Sequence, residues 1–169
     1  LRCLQHNLAQ NGLAEFVRVQ PVAVSDVASD HAELLCPADN SSNTLADNAE
    51  YAIGDELATV KRTTVRSVRI DDVAFDAPVA VIKLDIQGSE PEALKGAMKT
   101  ITRDRPVLVL EVVESWPRAK EVEDILAALE YRAYGLTAAG DLVPVGDART
   151  FVSWDWIAIP AAGRAPATA

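Results

Sequence analysis

Val79 to Ala97 reads VAVIKLDIQGSEPEALKGA, and this stretch decides the fold. Its first eight residues, ending at Ile86, form a short and nearly continuous apolar run, the pattern of a strand buried on both faces of a parallel sheet. Gly88 permits a tight turn. Ser89 and Glu92 then make an S-x-x-E capping box with Pro91 in the first turn, and Leu94, Ala97, Met98 and Ile101 fall on one apolar stripe, so the spacing predicts a capped amphipathic helix. Val107 to Val112 (VLVLEV) repeats the buried-strand pattern. Strand, helix and strand with short connections make a βαβ unit, whose crossover is right-handed in nearly every case.

Upstream, Leu1, Leu4 and Leu8 recur at helical spacing before Asn11 and Gly12, which predicts a helix over residues 1–11 with a glycine stop. Phe16 to Val24 (FVRVQPVAV) has strand composition, with Pro21 marking a bend or bulge, and Ser25 and Asp26 end it. His31 to Cys36 reads as a short strand and residues 37–62 as a long loop with one helical turn. Thr63 to Ile70 reads as a strand with one wet face. Downstream, Arg118 to Glu130 carries Val122, Ile125, Leu126 and Leu129 on one helical face. Tyr131 to Leu136 and Leu142 to Val145 flank an AAGD turn, and Ser153 to Ile159 is a last strand. The fold class is α/β: a sandwich around a mostly parallel sheet with an antiparallel C-terminal edge strand. One domain over residues 1–160 is expected, followed by a disordered Ala/Pro tail at 161–169. The chain opens on Leu1 inside a helical pattern, so the first strands of the domain are expected to lie upstream.

The 169 residues are 49% hydrophobic and 24% charged, ordinary values for a globular protein. A net charge of −9 and a pI near 4.7 give no broad basic surface, which argues against binding nucleic acid or anionic membranes. A small-molecule substrate fits better. Cys3 and Cys36 have neither CxxC spacing nor a histidine cluster, so no metal site or disulfide framework is indicated and a reducing, cytoplasmic setting is expected. No apolar run reaches the length of a membrane span. Oligomeric state is not readable from the sequence.

In open α/β sheets ligands bind beyond the carboxyl ends of the parallel strands. All three such exits are acidic: Asp26, Asp85 and Glu111. They could accept hydrogen bonds from ligand hydroxyls or amines, or serve as caps. Lys83 and Asp85 stand two apart in a strand and so share one side. A lysine in an apolar run is either paired with a carboxylate or tuned towards a base by burial. His6 and His31 are isolated, Trp116, Trp154 and Trp156 read first as core, and Asp71 with Asp72 reads as a solvated helix N-terminus rather than a metal pair.

At VIKLDIQGSEPEALKGA and the RPVLVLE stretch from Arg105 to Glu111, the chain resembles the FkbM family of S-adenosylmethionine-dependent methyltransferases. Lys83, Asp85, Gly88, Glu90, Leu94, Gly96, Ala97 and Glu111 match the family pattern. Gln87 stands where the family usually has Glu. The upstream LQHNLAQNGL, VAVSD and SVRIDDV segments are similar as well. The resemblance implies a Rossmann-like class I methyltransferase fold, S-adenosyl-L-methionine as cofactor, and methyl transfer, commonly to a hydroxyl oxygen of a small molecule, sugar or lipid. It implies cofactor contacts from Ser25, Asp26 and Asp85, catalytic roles for Lys83, Asp85 and Glu111, and a first strand with a glycine-rich loop before Leu1. The alternatives are a truncated or degenerate methyltransferase-like binding module without cofactor binding and, since no G-x-G-x-x-G occurs, a much less favoured dinucleotide enzyme.

Overall fold

The computed structural model describes residues 1–37, 43–48, 60–112, 118–137, 139–145 and 154–161. The long loop expected at 37–62 lies largely outside these residues, as do Trp116 and the tail from residue 162. Helix α1 (Arg2–Gln10) leads to strand β1 (Ala23–Val24), then β2 (Ser29–Cys36), β3 (Thr44–Leu45) with a 3-10 turn at Ala46–Asn48, and β4 (Lys61–Val68). After a second 3-10 turn at Ile70–Asp72 come β5 (Val81–Leu84), α2 (Glu90–Lys95), α3 (Met98–Asp104) and β6 (Val107–Glu111). The chain continues through α4 (Ala119–Ala128), β7 (Tyr131–Leu136), β8 (Leu142–Pro144) and β9 (Asp155–Pro160).

The strands make two sheets, a four-stranded one in the order β1-β4-β2-β3 and a five-stranded one in the order β5-β6-β9-β7-β8. Both are mixed. β1 runs parallel to β4 and β5 parallel to β6, whereas β2–β3, β2–β4, β6–β9, β7–β8 and β7–β9 are antiparallel. The expectation of one mostly parallel sheet is therefore corrected. The parallel β5–β6 pair arises where helices carry the chain back across the sheet, whereas the short β7–β8 connection reverses it directly.

The core lies between the second sheet and its helices. Ile82, Leu84, Leu108, Leu110, Trp156 and Ala158 point from the strands towards Ala93, Leu94, Ala97 and Ile101 of the α2–α3 layer and Val122 and Leu126 of α4, all buried. The other face is open: Val81 and Lys83 are exposed and Val109 is only partly covered. Among the described residues VAVIKLDI is covered on one face. Lys83 sits on its wet face.

Three further expectations change. Only Ala23 and Val24 of the 16–24 segment pair in a sheet, and Phe16 is 81% exposed. The helix after Gly88 is two short helices meeting at Gly96–Ala97, with Met98 turned outward while Leu94, Ala97 and Ile101 stay buried. The capping box does not form. Ser89 makes no side-chain bond to the helix; its hydroxyl meets the Thr44 hydroxyl at 3.4 Å, and Glu92 pairs with Arg118.

Gly96 explains the break and the seam with the first sheet. A Cβ there would lie 2.2 Å from the Ser25 carbonyl oxygen, so only glycine lets the helical layer press this close to the turn leaving β1. The Gly96 carbonyl accepts the Asp71 N–H at 2.9 Å. The Asp71 carboxylate in turn accepts the Lys99 and Thr100 N–H groups at 3.1 and 2.8 Å, capping α3 from 28 residues away. The acid expected at a solvated helix N-terminus thus caps a distant helix.

Candidate functional site

The turn leaving β5 is built backbone first. Gln87 has φ 53° and Gly88 φ 91°, two consecutive left-handed residues that reverse the chain within one step. The Glu90 carboxylate accepts the Ile86 and Gly88 N–H groups, both at 2.9 Å. Glu90 is 2% exposed, and burial pushes its pKa up against the pull of these N–H donors. The Gly88 carbonyl accepts from Arg118 Nη1 at 2.9 Å. Arg118 also grips Glu92 through both terminal nitrogens and Glu121 through Nε and Nη2, and Lys95 reaches Glu121 at 2.6 Å. Both polar sides of the turn are therefore fixed by side chains from elsewhere. Sequence reading missed Glu90 and Arg118 as organisers of the turn. The available signals were an acid in the first turn of the helix, which favours its N-terminal dipole, and a cation opposite Glu92 that only the folded chain brings near.

Above this turn the strand exits meet on the face the helices leave open. The parallel register pairs Leu84 with Leu110, and the antiparallel register pairs Glu111 with Asp155. One step on, Asp85 stands level with Glu111 and Asp155 across three neighbouring strands. Lys83 Nζ lies 3.1 Å from Asp85 Oδ2. The Gln87 side-chain amide donates to Asp85 Oδ1 at 3.4 Å and to Glu111 Oε2. These contacts separate the two carboxyls electrostatically. The hydrogen bond from Lys83 holds Asp85 below its usual value, whereas burial, then the negative charge of Asp85, raises Glu111. Lys83 itself is raised by its bond to Asp85. It stays an ammonium at neutral pH. Of the two readings of Lys83, the geometry shows the pairing with a carboxylate, Asp85.

Lys83, Asp85 and Glu111 thus come together. Ser25 is buried beside Gly96, its N–H bonds the Val68 carbonyl and its hydroxyl donates to Asp26 Oδ1 at 3.2 Å. Among the described hydrogen bonds none joins this pair to the Asp85 group. Trp156 is in the core, Trp154 is exposed, and His6 and His31 are exposed. Cys3 and Cys36 are free thiols. Among the described residues no grouping of His, Cys, Asp or Glu could hold a metal, and no helix is long and apolar enough to cross a membrane.

A mixed α/β core with paired carboxyls at adjacent strand exits is an architecture that many enzymes share, and comparison narrows it. The family model of the methyltransferase FkbM domain matches residues 1–135. The chain belongs to the FkbM methyltransferase family. Its fold is similar to the crystal structure of a methyltransferase FkbM from Methylobacillus flagellatus, with a TM-score of 0.52 and 17% identity over 94% of this chain. The match spans 32% of that protein, about a third of its length. No curated protein matches the chain in sequence.

Proposed function

We propose that this chain is part of an S-adenosylmethionine-dependent O-methyltransferase with a Rossmann-like class I fold, acting in the cytoplasm on a hydroxyl of a small molecule, sugar or lipid. The observation that carries the reading is the carboxyl pair Asp85 and Glu111, set at neighbouring strand exits and driven apart in proton affinity. Two acids in one place with opposite shifts divide the work of orientation and proton acceptance.

When bound, S-adenosylmethionine would supply an electrophilic methyl group, its sulfonium–methyl bond breaking so that the electron pair leaves on sulfur as a neutral thioether. Ser25 and Asp26 fit the adenine end by their chemistry: Asp26 is a carboxylate whose described partner is the Ser25 hydroxyl, which leaves acceptor capacity for an exocyclic amine. Asp85, charged and anchored by Lys83, accepts a hydrogen bond from a ligand hydroxyl and orients it. Glu111, with its raised proton affinity, takes the acceptor's hydroxyl proton as the new carbon–oxygen bond forms, and returns it to solvent afterwards. Lys83 keeps Asp85 ionised.

The test is methyl transfer from labelled S-adenosylmethionine by the full-length gene product to a panel of hydroxylated sugars, lipids and small molecules. Glu111→Gln should lower kcat about 10²-fold or more with an unchanged unfolding midpoint. Calorimetry that finds no S-adenosylmethionine binding by the full-length protein would refute the enzyme reading and favour a binding module.

A further inference from the structure

Gln87 occupies a backbone position that suits glycine, and it is not needed there to hold the chain. Its φ of 53° is left-handed, a conformation that costs any residue with a Cβ. The turn's own polar groups are already secured by Glu90 below and Arg118 alongside. What Gln87 adds is its side chain, and that side chain is turned away from the turn. Its amide nitrogen donates to carboxyls on two different strands, Asp85 leaving β5 and Glu111 ending β6.

We propose that Gln87 is a positioning residue that tethers the Glu111 carboxyl beside Asp85, with which it also interacts directly. This rests on the methyltransferase reading of the site given above. An amide is suited to the task because it is neutral and has two N–H donors, one for each carboxyl. The Glu that the family usually carries at this position has no such donor when ionised and adds a charge, so this chain's Gln87 changes the balance at Glu111. The charged groups that bear on Glu111 are Asp85 and, through it, Lys83 from β5, Asp155 from β9 and Glu90 from α2. Three of those four are acidic. The neutral tether therefore holds the proton affinity of Glu111 below the level that a fourth carboxylate would set.

The tether can be read without any turnover. Carbon-detected NMR titration of the glutamate carboxyls in the full-length protein, with the Glu111 signal assigned from its loss in Glu111→Gln, follows the proton affinity directly. A donor to the charged form lowers a carboxyl pKa and a neighbouring negative charge raises it. Gln87→Met should therefore raise the Glu111 titration midpoint, and Gln87→Glu should raise it further. Gln87→Gly, which relieves the backbone, should unfold at the same or higher urea concentration than wild type while showing the same upward shift as Gln87→Met. Glu111 midpoints unchanged in all three variants would overturn the proposal, and so would a Gln87→Gly protein less stable than wild type, because the side chain would then serve the turn. If the midpoints shift as stated but Glu111→Gln transfers methyl groups at the wild-type rate, the tether stands and the assignment of Glu111 as proton acceptor falls.

Discussion

Replacing Gly96 by alanine tests the contact between the two sheets. In its favour, alanine has better helical propensity and the Gly96 φ of −71° is one it adopts freely. Against it, the new methyl would sit 2.2 Å from the Ser25 oxygen, 3.0 Å from the Ser25 carbonyl carbon and 3.2 Å from the Asp26 Cα. All three are backbone atoms, so no side chain can swing aside, and the turn leaving β1 must retreat from the helices by about 1 Å to restore an ordinary contact. Overpacking costs about 1–3 kcal/mol, and a clash with backbone alone falls in the upper part, about 2–3, while the propensity gain returns at most about 1 kcal/mol. The net is a loss of about 1–2 kcal/mol, or a fall in Tm of roughly 2–8 °C for a domain of this size. Urea unfolding followed by far-UV circular dichroism gives the difference directly, with an unchanged m value as the check that the same transition is measured. An alanine variant as stable as wild type would show that Ser25 does not bear on the helical layer.

Other outcomes follow from groups described above. Arg118→Met leaves Glu92 and the Gly88 carbonyl without the donors they have now, and should cost about 2–4 kcal/mol by urea unfolding. Arg118→Lys should recover less than half of that loss, because an ammonium cannot grip a carboxylate through two nitrogens and reach a carbonyl as well; full recovery would contradict the proposed grip. Asp104 accepts from Arg103 and from the Val79 N–H at 2.9 Å, and these bonds hold its pKa down to about 2. An unfolded aspartate titrates near 3.9, so its stabilising contribution is complete above about pH 4 and is lost as pH falls through about 2. Since Arg103 is largely solvated, screening keeps that contribution small. Asp104→Asn should lose it at pH 6, and urea midpoints taken downwards in pH should converge with wild type near pH 2; a gap that persists there would rule out the ionised carboxylate as its source.

The parts of the fold that were legible in the sequence are those whose pattern depends on near neighbours. β6, β7 and α4 fall within two residues of their expected bounds, since each joins an apolar periodicity to a clear stop. Phe16 to Val22 shows the opposite case. Its composition suits a strand, but a strand is made by a partner, and Pro21 removes one of the donors that a partner would use. The capping box at Ser89 and Glu92 failed for a related reason: Arg118, 26 residues on, competes for Glu92 more strongly than the helix start does. At the site, Lys83, Asp85 and Glu111 could be picked out because residues two apart share a face and strand ends gather ligands. That Lys83 would be half-solvated could not be read, because the apolar run looks the same whether one face or two are covered. The bridge from Gln87 depends on a left-handed backbone that its side chain gives no reason to expect.

The cap that Asp71 places on α3 also governs when that helix can exist. Seven residues without a local side-chain cap are too few to hold a helix in water, so α3 takes shape only once the chain from Arg69 to Asp72 has closed on it. Helix and sheet seam thus share the same hydrogen bonds, and a change that breaks them weakens both.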